Sequence, residues 1–360
     1  MFRSALLLLL LGAAPKEGDA PPPPAANLTL RMDAPDVAGP WKMVVTNQGD
    51  VPLRFAADGR LLSLEIEAPV EESDAPYGKP GAKKKAPPPV TCKLPAELRP
   101  AAVVEDRAIV LAPGARYEEV ISPVFYCFSD TEAKALVPGA RVTAKLGFSD
   151  GTKPNPKTPL RAPFIAEPAA AGSSVTAVKE IAAESFVVAA ARPVAPFSAG
   201  EASDDPNAPR LELLARTRVD SVDEKTVATT LTVKNTGGRD VRGHMRRDNL
   251  LFDIDGPDGS SHCGHPSSRR AVPRENFETI AAGSSRSFEV WIGEMCPNFV
   301  FDRPGLYRVR AGLAFPSAVS GEGSGVWSKT IVIDDPILVR IRKGRLPFYT
   351  SPPQIFGNSG

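Results

Sequence analysis

The segment APGARYEEVISPVFYC, Ala112 to Cys127, returns later in the chain as AAGSSRSFEVWIGEMC, Ala281 to Cys296. The step from Gly114 to Cys127 has the same length as the step from Gly283 to Cys296. Neighbouring stretches repeat in the same order. Upstream, VVTNQGDVPLRF at Val44–Phe55 meets LTVKNTGGRDVR at Leu231–Arg242, and LLSLEIEAP is followed in the second copy by LLFDIDGP. Downstream, VPGARVTAKLGF at Val137–Phe148 meets RPGLYRVRAGLAF at Arg303–Phe315, and PFIAEP and TIVIDDP stand as the closing strands. A match this long means two copies of one domain, because solenoid repeats run only roughly 20 to 50 residues.

Each copy is written in strands. LTLRM, WKMVV and RVTAKLGF in the first unit, and ATTLTVKN, SFEVWI and LYRVRAGLAF in the second, alternate apolar and polar residues between turn formers. Thirty-eight prolines and 29 glycines in a chain only 7% aromatic oppose a helical bundle. Seven or eight strands per unit, with turns such as Asn235-Thr-Gly237, predict an all-β fold: two tandem immunoglobulin-like antiparallel β-sandwich domains related by internal duplication. A chain of 360 residues suits two such cores. The copies fall out of phase at one point, where Glu119 sits at the position of the inward-pointing Phe288, and a bulge is the expected remedy.

The first domain is expected over 27–167 and the second over 210–336. Residues 1–20 have the layout of a secretory signal peptide, with one Arg, an apolar run from Ala5 to Leu11 and then small residues. A Pro-rich spacer follows at 21–26. Residues 168–209 read as an Ala/Pro-rich linker in which Ser173–Ala191 fits either a helix or an edge strand, and 337–360 reads as a basic, aromatic tail.

Four cysteines allow three pairings. Equivalent positions in an exported protein select Cys92 with Cys127 and Cys263 with Cys296, each bond contributing on the order of 3 to 4 kcal/mol by loop closure. The 35- and 33-residue separations differ from the antibody pattern and place the bridges at loops.

The second unit, through TLTVKNTGGRDV, LLFDIDGPDG, AAGSSRSFEVWI and PGLYRVRAGLAF, resembles the bacterial intracellular proteinase inhibitor (BsuPI) family over roughly Arg210–Pro336. The resemblance implies an Ig-like fold and, as an alternative function, a secreted proteinase inhibitor presenting an exposed loop.

Function classes narrow by exclusion. Forty-three basic against 42 acidic residues give no field to attract nucleic acid, and no later run approaches the ~18 apolar residues of an integral membrane segment. His262, Cys263 and His265, with His244 as the third histidine, are the metal candidates. A zinc site needs four ligands, and none remains to complete it once Cys263 is bonded, so a polar loop is expected with no metal and no cofactor. No Gly-x-Ser-x-Gly or His-Glu-x-x-His appears, and no catalytic residue is assigned. Lys83, Lys84 and Lys85, in a Pro-flanked loop that the second unit lacks, are the candidate partner contacts. The basic stretch Val339–Arg345 is expected to be solvated, and Phe348, Tyr349 and Phe356 to dock on the domain or on a partner. The expectation is an exported, non-enzymatic binding or structural module, periplasmic or extracellular, whose partner is another envelope or extracellular protein.

Overall fold

In Ala228–Asn235 every second residue is buried, Thr229, Leu231, Val233 and Asn235, and the residues between them are exposed or half-buried. This alternation is the rule by which the chain builds its sheets. The computed structural model describes residues 24–69, 87–148, 163–173, 175–190, 208–264, 273–297, 299–316, 326–348 and 354–356. Its first half contains β1 (Leu28–Asp33), β2 (Trp41–Asn47), β3 (Leu53–Ala56), β4 (Leu62–Glu67), β5 (Val90–Lys93), β6 (Ala108–Leu111) and β7 (Arg116–Ile121). The short helices α1 (Pro123–Tyr126) and α2 (Asp130–Ala135) come next, then β8 (Arg141–Gly147), β9 (Ala166–Pro168), β10 (Glu180–Ala182) and β11 (Phe186–Val187). The second half contains β12 (Leu211–Ala215), β13 (Arg218–Ser221), β14 (Ala228–Asn235), β15 (Val241–Gly243), β16 (Leu250–Gly256), β17 (Gly259–Cys263), β18 (Glu278–Ile280) and β19 (Ser285–Trp291). It closes with α3 (Ile292–Met295), β20 (Gly305–Leu313), β21 (Ile331–Val332), β22 (Ile337–Ile341) and β23 (Gln354–Phe356).

Each half is a sandwich. In the first, a sheet ordered β1-β2-β7 faces one ordered β10-β8-β4-β5, and β11 also pairs with β8. In the second, β12-β14-β19 faces β13-β22-β20-β16-β17, and β21 also pairs with β20. Trp41, Met43, Phe55, Leu64 and Tyr117 are fully buried in the first core, and Leu231, Val233, Leu250, Val309 and Ile337 in the second.

The duplication holds at the level of single hydrogen bonds. Asn47, fully buried, donates Nδ2–H to the carbonyls of Val51 and Leu111 at 2.9 Å each and accepts from the Gly49 N–H at 3.0 Å. Asn235, also fully buried, donates to Arg239 and Ile280 at 2.8 and 3.0 Å and accepts from the Gly237 N–H at 3.0 Å. The turns that meet these asparagines use Gly114 at φ 72° and Gly283 at φ 75°, a conformation that costs glycine little. Both disulfides form as paired by equivalence, with Cα separations of 4.7 Å for Cys92–Cys127 and 5.0 Å for Cys263–Cys296. One cysteine of each pair lies in a strand, β5 or β17, and the other directly follows the helical turn after β7 or β19. Each bond therefore ties the two sheets of its sandwich together at one rim.

Several boundaries differ from the sequence reading. The stretch from 168 to 190 is not a linker: Glu180–Ala182 and Phe186–Val187 pair with β8, burying Ile181, Ala183 and Val188. The edge-strand alternative for this stretch wins because the β8 edge supplies backbone partners that a free helix would leave unmatched. The tail does not begin at 337, since Ile337, Val339 and Ile341 alternate into the second core and β22 lies between β13 and β20. PFIAEP and TIVIDDP are not equivalents either. Ala166–Pro168 pairs antiparallel with β3, and β15, the strand equivalent to β3, has a parallel bridge from Arg242 to Val326, whereas Ile331–Val332 pairs with β20 as β10 does with β8. No bulge interrupts β7, whose register with β2 is continuous from Trp41↔Ile121 to Thr46↔Arg116. The strands are also more numerous and shorter than seven or eight per unit. The signal peptide, all but the last residues of the spacer, and Lys83, Lys84 and Lys85 lie outside the described residues.

Candidate interaction surface

Pro123 at the start of α1 suits the first turn of a helix, and α1 carries the chain from β7 to Cys127. Against this turn lies the second domain. Arg340 of β22, only 6% exposed, forks onto Asp220 with contacts of 2.6 and 3.2 Å and donates Nη1–H to the Phe125 carbonyl at 3.2 Å. Its guanidinium also sits 4.5 Å from the centre of the Phe128 ring. Arg342 reaches Glu97 of the first domain at 3.2 Å and Asp220 at 3.6 Å. Phe348 stacks on Phe125 with 6.0 Å between ring centres and 4° between planes, and the Arg60 guanidinium lies over the Phe348 ring at 5.4 Å from its centre. Arg345 pairs with Asp302. The VRIRKGR stretch is thus an ion-paired clasp between the domains and not a solvated patch: the alternation that buries Val339 and Ile341 carries Arg340 into the domain interface, where Asp220 compensates its charge.

Beyond the clasp, Gln354–Phe356 adds an antiparallel strand to the outer edge of β7, with Gln354 opposite Glu118 and Phe356 opposite Arg116. The Arg116 guanidinium lies 5.1 Å from the Phe356 ring centre. Phe348 and Phe356 therefore dock on the first domain, while Tyr349 lies outside the described residues. In the second domain the equivalent strand is β19, and among the described residues no strand lies on its outer edge.

Behind β7 is a buried polar centre. Glu119, 4% exposed, faces inward beside Tyr117, whose hydroxyl donates to its carboxylate, and accepts the Gly59 N–H at 2.8 Å. Tyr126 donates to the Gly59 carbonyl at 2.8 Å. A Cβ on Gly59 would stand 2.9 Å from the Glu119 carboxyl, so a larger residue there would have to displace that carboxyl. Asp58 holds Arg60 in a fork with contacts of 2.6 and 2.8 Å. Burial pushes the Glu119 carboxyl above its usual range, offset in part by the Tyr117 hydrogen bond and by the charge of Arg107. The same burial and the Glu119 charge push the Tyr117 phenol up. In the sequence Glu119 stands as a break in alternation; the signal that points to this centre is Tyr117 two residues away on the same face.

The histidines do not assemble. His244 is buried, its Nδ1 bonded to the Asn276 carbonyl at 3.0 Å, while His262 is exposed and pairs with Asp253 at 2.5 Å. Cys263 is committed to its disulfide, and His265 lies outside the described residues. Among the described residues no three metal-binding side chains cluster. Of the tryptophans, Trp41 is core, Trp327 packs at the rim of the second core, and Trp291 is 39% exposed.

No protein-family profile matches the chain, and no curated protein sequence does. Among solved structures, the chain is similar to a red sea bream transglutaminase at 12% identity over 87% of its length, with a TM-score of 0.17, and it spans only 31% of that chain. It is similar to the class 5 fimbriae chaperone CfaA at 10% identity, covering 85% of this chain and 99% of that one, with a TM-score of 0.16. A structure of manganese lipoxygenase of Gaeumannomyces graminis with part of zonadhesin of Komagataella pastoris matches at 10% identity, 92% and 96% coverage, and a TM-score of 0.19.

Proposed function

We propose that this protein is an exported, non-enzymatic binding or structural module of the cell envelope or extracellular space, acting through contacts with another protein. The observation that carries this reading is the β7 edge, where the chain takes an extended segment of its own as an added strand. Strand addition lets a β-sandwich recognise a peptide through its backbone without a deep pocket. Two formed disulfides suit an oxidising compartment. Among the described residues no helix is long and apolar enough to cross a membrane. A net charge of +1 favours a protein partner over a nucleic acid. The inhibitor alternative assigns its bait to the loop at 71–91, most of which lies outside the described residues, and no observation favours it. The test is to immobilise the chain from residue 21 onward, expose it to an envelope fraction, and purify what it retains. A recovered protein that binds the purified chain saturably in calorimetry supports the reading; if none does, the reading fails.

A further inference from the structure

The tail strand is shorter than the edge it lies on. Gln354–Phe356 pairs with β7 from Glu118 to Arg116, while β7 itself runs on to Ile121. In an antiparallel ladder, alternate residues turn N–H and C=O to alternate neighbours. The Asn47 N–H donates to the Ala115 carbonyl, and Tyr117, Glu119 and Ile121 share that phase and turn their backbone groups to β2. Arg116, Glu118 and Val120 turn theirs to the outer edge, where the tail pairs with the first two. To continue in the same register, an added strand must give an N–H to the Val120 carbonyl, and in the tail that place falls to Pro352, which has none. Val120 is 57% exposed. The outward row also has a chemistry of its own. The Arg116 guanidinium meets the Phe356 ring, and Glu118, opposite Gln354, is compensated by Lys42 at 3.4 Å and Arg116 at 3.0 Å. The equivalent places on β19 are Ser285, Ser287 and Glu289, with no cation at the first, and among the described residues no strand lies there. The tail thus matches the β7 row at two places and fails at the third.

We infer that the outer edge of β7, from Arg116 to Val120, is where the protein partner docks, and that residues 354–356 are its internal competitor. The inference rests on the binding-module reading and adds the partner's chemistry and the regulation of the site. The partner presents an extended segment antiparallel to β7. It carries an aromatic side chain opposite Arg116, an uncharged polar one opposite Glu118, and an apolar residue other than proline opposite Val120. The first two demands are those that Phe356 and Gln354 meet, and the third follows from the exposed Val120 and its outward carbonyl. Because the tail is tethered, it competes at an effective concentration of about a millimolar, so three residue pairs hold the edge against segments that match it no better than the tail does. A segment that adds the pair at Val120 displaces it.

The test compares the full chain with the full-length double variant Gln354→Pro, Phe356→Pro, whose tail keeps its length and loses both N–H groups that face β7. The probe is the peptide TSVTQIFGNSG, residues 350–360 with Pro352→Val and Pro353→Thr, followed by calorimetry and by amide exchange. The variant should exchange faster than the parent at Arg116 and Glu118, and in it the probe should slow Arg116, Glu118 and Val120. The probe should bind the variant about fivefold or more tighter than the parent, whose apparent affinity falls with the fraction of edges left open. The unaltered peptide, TSPPQIFGNSG, should bind the variant more weakly than the probe does. The inference is overturned if the probe binds parent and variant equally, if it leaves the three outward amides unprotected, or if removing the prolines gains it no affinity. It is also overturned if the parent is a dimer and the variant a monomer, which would make a second copy's tail the occupant. An envelope protein that binds parent and variant equally sinks the competitor and leaves the module reading standing. Competition with the probe, in chains that retain no envelope protein, sinks the module reading and leaves the competitor standing.

Discussion

Replacing Asn47 with alanine removes three hydrogen bonds and leaves the buried Leu111 carbonyl, the part-buried Val51 carbonyl and a glycine N–H without the partner that joined them. A loss of about 2 to 3 kcal/mol is expected, and Asn235→Ala should match it, because the second copy makes the same three bonds. Unfolding in denaturant of the two variants checks this; unequal losses would show that the two turns are not energetic equivalents. Glu119 supplies a pH signature. Its folded pKa lies above its ordinary value of 4.5, so the native state holds the extra proton. The stability this group contributes is full below that value and is lost as pH rises through the folded pKa. Glu119→Gln stays neutral and keeps an oxygen for the Gly59 N–H and the Tyr117 hydroxyl, so as pH rises above 4.5 its stability should fall less than that of the parent. Equal slopes would refute the assignment. The two asparagines were legible in the sequence because Asn-x-Gly is a local pattern. Glu119 was not, because its partners come from Gly59 and Tyr117, and only the tertiary fold brings the Gly59 amide to it.

At the scale of elements, long alternating strands such as β14 and β20 could be read directly, and so could the cysteine pairing, which follows from duplication alone. The misread elements are short. β10 and β11 have three and two residues, too few to show a period, and they exist because β8 needs a partner along its edge. The first domain therefore needs residues up to 190. A chain of residues 24–190 should melt cooperatively, whereas one ending at 167 bares the edge of β8 and should not; circular dichroism melts distinguish them, and equal melts would mean that β10 and β11 add nothing. Removing residues 349–360 should speed amide exchange at Arg116 and Glu118 and cost roughly 1 kcal/mol or less of global stability, since three residue pairs are lost at a sheet margin.

Across the whole molecule the clasp decides whether two sandwiches behave as one body. Arg340→Ala leaves Asp220 without its fork and the Phe125 carbonyl without its donor. A destabilisation of about 2 kcal/mol is expected, with a single calorimetric transition separating into two as the domains uncouple. Arg340→Lys should not restore coupling, because an ammonium cannot grip the carboxylate at two points while lying flat over Phe128. A variant that still melts in one step at the parent temperature would remove the clasp from the account. None of this was legible from the basic stretch at 339–345, whose charge pattern is the same whether it faces water or Asp220. The β7 strand addition also imposes an order in time. Residues 354–356 are made after the whole second domain, so the first domain spends the interval of synthesis with a sticky margin uncovered. Chains halted before that point would carry a finished first sandwich whose seam is still open to other nascent chains, and residues 354–356 act as the closing stitch.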